Sequence, residues 1–395
     1  MPFDLKSLID KKDKLVIGLM SGTSKDGIDA ALVKLEGSGL NTQMELVKFI
    51  CVEFEEDVRS RLDNLAKGCT LKEVSDLNFL IGDEFAKAAL SVIDQAGASP
   101  SDVDLIGSHG QTVFHNPPSC KEGTPSTLQI GEIDIIAERT GITTVGDFRT
   151  RDIAAGGEAA PLVPYLDYLL FRKPGKVSIA QNIGGIANAT VVTENIDDLI
   201  AFDTGPGNML MDRIIQLSTK GKEKYDRSGK LASAGKVNRE LLNKLLADPY
   251  YSYPPPKSTG EELFGQEMVA TLYSYIENEM LSLEDMMATL MSLTVESIVS
   301  SYKNYIFPKW DVSEIIFSGG GCNNPILMES LSEKLNPLRI SSSDEYGIPS
   351  DAKEAVAFAV LANELISGNT NNLPGVTGAQ RKAPLGKIAL GRSEL

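Results

Sequence analysis

Apolar runs of strand length alternate with helix-periodic stretches along this chain, and glycine-rich turns stand at the junctions. Residues 15–20 (LVIGLM) are apolar and end in Ser21-Gly22-Thr23-Ser24-Lys25-Asp26-Gly27, after which residues 28–35 resume a strand pattern. Strand, glycine turn, strand is the expected reading. Residues 55–97 place Leu77, Leu80, Ile81, Phe85 and Leu90 at the spacing of one buried helical face. A short strand over 103–108 is expected to open into His109-Gly110-Gln111-Thr112, with a helix over 130–138 and a strand over 143–148.

A similar plan then restarts. Residues 177–180 lead into Asn182-Ile183-Gly184-Gly185-Ile186-Ala187-Asn188 and on to a strand at 190–192. A strand at 199–202 ends at Asp203-Thr204-Gly205-Pro206-Gly207-Asn208, with a helix from Met209. Helices are expected over 236–247 and 265–306, the latter broken near Leu281-Ser282-Leu283. A strand at 315–318 feeds Gly319-Gly320-Gly321-Cys322-Asn323-Asn324 and a helix over 325–335, followed by a strand at 338–341 and a helix over 351–367. The repeated plan predicts two related α/β lobes with a cleft between them. The expected division is residues 1–150 with 374–395 as one lobe and 151–373 as the other.

The length of 395 residues exceeds one ordinary core, which agrees with two domains. A net charge of −16 argues against a broad basic surface for nucleic acid or an anionic membrane. An anionic ligand must therefore be met by local backbone donors or a metal. The four cysteines show no C-x-x-C spacing, so reduced thiols are expected. No run of eighteen apolar residues exists and the first residues lack an apolar signal core, so a cytoplasmic protein is expected.

The glycine turns carry the candidate chemistry. A hairpin tip over Gly22, Thr23, Ser24, Lys25, Asp26 and Gly27, continuing to Ile28 and Asp29, can turn successive N–H groups toward one anion. Asp26 repels bare phosphate and makes sense where Mg2+ bridges it to phosphate, directly or through water. Taken alone, the turn is equally compatible with a plain Asp-Gly hairpin. Asp203 before Gly205, Gly207 and Asn208 puts a carboxylate at a strand end, with helix N-terminal amides beyond it for phosphate. Gly319, Gly320 and Gly321 let backbone pass close to a flat ligand such as adenosine. The order of these three segments matches the two phosphate segments and the adenosine segment of the sugar kinase, actin and chaperone ATPase superfamily. Neither a P-loop nor a G-x-G-x-x-G follows a strand anywhere.

Longer motifs narrow the resemblance. Gly18-Leu19-Met20-Ser21-Gly22-Thr23-Ser24 with Asp26-Gly27 and Asp29, then Gly107-Ser108-His109-Gly110-Gln111-Thr112, Gln129-Ile130-Gly131 and Asp147-Phe148-Arg149 on to Gly157 are among them. Asn182-Ile183-Gly184-Gly185, Phe202-Asp203-Thr204-Gly205-Pro206-Gly207-Asn208, Pro256-Lys257-Ser258-Thr259-Gly260 and Asp344-Glu345-Tyr346-Gly347-Ile348-Pro349 continue the series. From about residue 16 to 390 the chain resembles the anhydro-N-acetylmuramic acid kinases. Lys25 departs from the family pattern, which has a small or apolar residue there.

The resemblance implies a two-lobed actin-like, ribonuclease H-like α/β fold and an ATP-dependent enzyme. Its substrate would be 1,6-anhydro-N-acetylmuramic acid, opened by water and phosphorylated to N-acetylmuramic acid 6-phosphate in peptidoglycan recycling. It implies Asp203 as the base that deprotonates water and Glu345 as a residue orienting water or substrate. His109, Asn182 and Gly184 would shape the sugar site, and either Arg149 or Arg151 would neutralise the lactyl carboxylate. ATP and Mg2+ are the expected cofactors, and any homodimer is expected to use the helices of 265–306. Two other readings stand beside this one. They are a kinase of the same fold acting on an ordinary sugar hydroxyl, and a nucleotide-switched ATPase without an enzymatic product.

Overall fold

A computed structural model describes residues 5–22, 25, 27–65, 68–120 and 123–392. The first strands are β1 (Asp13–Ser21), β2 (Gly27–Glu36), β3 (Gln43–Glu53), β4 (Leu105–Asn116), β5 (Ser126–Ile130) and β6 (Thr144–Gly146). They are followed by β7 (Val177–Ile183), β8 (Ile186–Val192), β9 (Ile200–Pro206), β10 (Val312–Ser318), β11 (Arg339–Ser342) and β12 (Lys387–Ala389).

The chain divides into two compact units, residues 1–170 with 347–395 and residues 171–346. In the first, the sheet runs β12-β6-β4-β1-β2-β3, with β5 added to β4. In the second it runs β11-β10-β7-β8-β9. Both begin as an antiparallel meander of three strands, and both then place two strands parallel to the first. This twice-used order is the ribonuclease H-like arrangement expected of the actin-like class, and each copy starts from a glycine-tipped hairpin.

In the first unit, Ile17, Leu19, Ile28 and Ile106 pack against Ile81, Phe85 and Val92 of the helix Leu71–Gln95. That helix starts in a capping box of Thr70 and Glu73, which satisfies two otherwise orphaned amides. The sheet also carries the helix Lys353–Ile366, which comes close to its backbone at two glycines. A Cβ at Gly18 would run into the carbonyl oxygen of Ala355, and one at Gly107 into that of Phe358. In the second unit, Ile179, Ile183 and Phe317 share a core with Met286 and Leu290 of the helix Leu283–Ser301 and Leu327 of the helix Pro325–Leu335.

Three local expectations differ from the structure. The strand expected to end at Ser108 continues through His109, Gly110, Gln111 and Thr112, because β5 pairs with its second half from Gln111 to Asn116. Residues 130–138 are instead the end of β5 and a helix Ile133–Thr140. The unit boundaries fall at 170/171 and 346/347 rather than 150/151 and 373/374. The physical reason lies in two attachments. The helix Lys353–Ile366 belongs to the first sheet, and the segment after residue 150 is tied to it through buried Asp152, which accepts from Asn372 Nδ2 and Thr377 Oγ1, both at 3.0 Å.

Candidate active site

The second unit's sheet has one apolar face and one polar row. Side chains alternate along a strand, so Ile179, Ile183, Ala187, Ala189 and Phe202 enter the core. Across the ladder, Asp203 pairs with Asn188, Asn188 with Asn182, and Asn182 with Ser318. Cross-strand partners share a face, so these four polar residues form one line across four strands.

Asp203 is held at several atoms. Its N–H donates to Lys257 O at 3.0 Å, its carbonyl accepts from Tyr250 OH at 2.7 Å, and its Oδ2 accepts from Thr259 N at 2.9 Å. Burial pushes the carboxyl up to about 7, with Glu262 acting in the same direction and the Thr259 N–H and Lys257 opposing. A carboxyl half ionised near neutral pH suits general base work, because basicity is preserved while the charged form stays populated.

The glycine segments gather at the same end of the sheet. Gly319 adopts φ +88°, and a Cβ there would lie 2.6 Å from Asn182 Oδ1. Gly184 has Asn182 Nδ2 at 3.4 Å from the same construction, so Asn182 stands between the hairpin tip and the triple glycine. Gly320 borders open space, and Gly321 packs on Ile183. Asn324 Oδ1 caps the following helix through Ile326 N and Leu327 N, both at 3.2 Å.

The amides of the turn that leads into the helix are already bonded. Gly207 N and Met209 N donate to Gly185 O at 2.9 and 3.1 Å, and Asn208 N donates to Gly184 O at 2.8 Å. The turn after Asp203 thus locks onto the 184–185 hairpin through Gly207 and Asn208, while Gly205 pairs with Ala187 on β8. Glu345 lies elsewhere on the same unit. Its Oε2 accepts from Arg339 Nη2 at 3.1 Å and its Oε1 from Ser342 N at 3.2 Å. It follows β11, at the opposite edge of the sheet from β9. Four strand spacings of roughly 4.8 Å separate those edges, so Glu345 does not stand beside Asp203.

In the first unit, the β1–β2 hairpin is fastened at its base. Ser21 Oγ, with one hydrogen to share, lies 2.7 Å from both Gly27 O and Gln111 Oε1, and Gln111 Nε2 donates to Gly22 O at 3.1 Å. Lys25 adopts φ +53°, and its Nζ lies 3.4 Å from both Asp63 Oδ1 and Leu62 O. Ile28 is buried, and Asp29 pairs with Met20 and Cys51 across the ladder. Thr23, Ser24 and Asp26, the last being the expected Mg2+ residue, lie outside the described residues. Among the described residues, no three His, Cys, Asp or Glu side chains gather as a metal site.

His109 is buried, with Nδ1 2.9 Å from Gly110 O and Nε2 accepting from Arg149 Nε at 2.8 Å. Burial and the neighbouring guanidinium hold it well below the ordinary histidine range. Arg149 also donates through Nη1 to Ala159 O, while Arg151 is exposed and has no such anchor among the described bonds. The structure therefore brings His109 and Arg149 together and leaves Arg151 to solvent.

Some residues near the site carried little signal in the sequence. Asp212, one helical turn past Asn208, is pushed by burial up to about 7; a lone acid between Met211 and Ile214 was the only cue. Lys257 lies 4.6 Å from the Tyr250 ring centroid and 5.2 Å from that of Tyr305. Gly229, at φ +67°, packs against Asn324 in the turn after Asp226, a pairing that no local pattern announces.

A family model described as anhydro-N-acetylmuramic acid kinase matches residues 14–391. The anhydro-N-acetylmuramic acid kinase of Caldanaerobacter subterraneus subsp. tengcongensis is 48% identical, over 98% of this chain and 99% of the relative. That of Clostridioides difficile is 43% identical, over 94% of this chain and 97% of the relative. A solved structure, the activator of the 2-hydroxyisocaproyl-CoA dehydratase from Clostridium difficile with bound ADPNP, is 10% identical at a TM-score of 0.42, covering 90% of this chain and 96% of that one. A likeness that slight bears on neither site nor function. The family match spans both hairpins, Asp203 and the triple glycine, and on that ground the chain belongs to the anhydro-N-acetylmuramic acid kinase family.

Proposed function

We propose that this protein is an ATP-dependent kinase that opens 1,6-anhydro-N-acetylmuramic acid with water and phosphorylates the freed oxygen, giving N-acetylmuramic acid 6-phosphate and ADP in peptidoglycan recycling. The observation that carries the reading is Asp203, one carboxylate oxygen fixed by the Thr259 amide and the group poised near pH 7. Water loses a proton to Asp203 as its oxygen bonds to the anomeric carbon. The carbon–oxygen bond of the anhydro bridge breaks, and its electron pair stays on the bridge oxygen. That oxygen attacks the γ-phosphorus of ATP, and the bond to the ADP oxygen breaks. Ring opening thus creates the nucleophile that phosphoryl transfer needs.

Positioning and charge stabilisation dominate phosphoryl transfer. The hairpin from Gly22 to Asp29 is proposed for the phosphates, Gly319–Gly321 for adenosine, and Asn182 with Gly184 for the sugar. Mg2+ would supply neutralisation of phosphate charge, with Asp26 as its proposed carboxylate. His109 has both ring nitrogens engaged and serves as a neutral wall. Arg151, free of the bonds that hold Arg149, is proposed for the lactyl carboxylate.

Turnover in water enriched in heavy oxygen tests the reading by mass spectrometry. One heavy oxygen at the anomeric position of the sugar phosphate is expected. ADP without labelled sugar phosphate would overturn ring opening.

A further inference from the structure

In the segment Pro256-Lys257-Ser258-Thr259-Gly260 only the Thr259 amide has a part in the chemistry above, yet Lys257 also lies against the proposed base. Asp203 N donates to Lys257 O at 3.0 Å and Thr259 N donates to Asp203 Oδ2 at 2.9 Å, so the segment runs along β9. Between those two bonds the Lys257 side chain enters an aromatic cage. Its Nζ stands 4.6 Å from the Tyr250 ring and 5.2 Å from the Tyr305 ring, and it donates to Tyr250 O at 3.2 Å and Tyr251 O at 3.5 Å. The cage is itself braced. Tyr250 OH donates to Asp203 O at 2.7 Å, and Tyr305 OH donates to Tyr251 O at 3.1 Å. Tyr250 therefore touches both residues, the Lys257 ammonium with its ring and the Asp203 backbone carbonyl with its hydroxyl.

We infer that Lys257 is a positioning residue for the reaction: its caged ammonium sets the charge balance at Asp203, while the Thr259 amide leaves one carboxylate oxygen to receive the proton of water. This rests on the reading of Asp203 as the base. Ring faces attract a cation and fix its place without neutralising it, as a carboxylate partner would. The ionisable groups acting on Asp203 are Lys257, which favours its charged form, and Glu262, which disfavours it; Tyr250 adjoins both. Lys257 is brought down to about 8 by burial, against the pull of Asp203. Each of the two groups favours the charged form of the other.

The test uses the full-length enzyme as Lys257→Met, which keeps the stem and removes the charge, and as Lys257→Arg. Asp203 is titrated directly by carbon-13 carboxyl NMR, its signal assigned by its loss in Asp203→Asn, and kcat/KM is followed against pH. Lys257→Met is expected to move the Asp203 midpoint and the acidic limb upward by about 0.5–1 pH unit, the low end for loss of a neighbouring opposite charge. The alkaline limb should vanish, and Lys257→Arg should restore the acidic limb. An unmoved midpoint in folded Lys257→Met would overturn the inference. A shifted midpoint with an unmoved acidic limb would instead overturn Asp203 as the base, and with it the part of Lys257 in the reaction. Should Lys257→Met fail to fold, Tyr305→Leu opens one wall of the cage and should raise the alkaline limb toward an ordinary lysine value. An alkaline limb left in place by Tyr305→Leu would count against the cage.

Discussion

Gly18 on β1 and Gly107 on β4 are direct partners in the parallel ladder, and together they seat the helix Lys353–Ile366 on the first sheet. Backbone meets backbone there, so neither position has a flexible neighbour that could yield. Gly107→Ala should lower stability by about 1–3 kcal/mol or more, the usual cost of overpacking. Thermal unfolding of the two proteins checks this, and an unchanged midpoint would mean that the helix can lift without cost.

Asp203→Asn should fold and lose about 10²–10⁴-fold in kcat, the common penalty for removing a general base. In the unaltered enzyme the acidic limb of kcat/KM should lie near pH 7, the value to which burial brings this carboxyl. His109 should contribute no limb, because burial and Arg149 keep it neutral across that range. A pH-rate profile on both proteins measures each point.

Stability should respond to the same carboxyl with the opposite sign from a usual acid. Asp203 rises from 3.8 when unfolded to about 7 when folded, so between those values the folded chain binds more protons and stability falls as pH rises. Asp212 adds to the trend over the same window. Asp203→Asn removes its share of the cost and should gain about 1–3 kcal/mol at pH 8 with no gain near pH 4. Denaturant titrations at the two pH values would show it.

The two arginines should separate cleanly. Arg149 is bonded to His109 and Ala159, so Arg149→Lys should lower the melting temperature along with activity. Exposed Arg151 carries no such load, and Arg151→Ala should leave melting unchanged. Its expected effect is a KM for the sugar raised about 10–100-fold, as losing one charge-assisted bond costs. With an anhydro sugar lacking the lactyl carboxylate, Arg151→Ala and the unaltered enzyme should show the same KM.

Both glycine-tipped hairpins, the Asp203 strand and the helices around them were legible because apolar runs bounded by turn residues report on their own neighbourhood. β3 was not, since its edge position leaves much of it exposed and blurs the apolar alternation. The strand through His109–Thr112 looked like a turn because its polar side chains are satisfied by Ser21, Arg149 and β5, partners distant in sequence. Asp203 stood out from its glycines, whereas the cage of Lys257 depends on Tyr250 and Tyr305 arriving from two other elements. The boundary near residue 346 was missed for a related reason. Nothing in the helix Lys353–Ile366 says which sheet it will cover.

The late position of that helix has a consequence for synthesis. β1, β2 and β4 leave the ribosome long before residues 353–366, and the whole second unit is made in between. Throughout that interval the glycine-bearing face of the first sheet has no helix to cover it. The nascent chain therefore carries an open apolar face for much of its translation, a state prone to wrong association. Truncation between residues 347 and 352 would make that state permanent, and its products should partition to holdase chaperones or aggregates while the second unit keeps its own core.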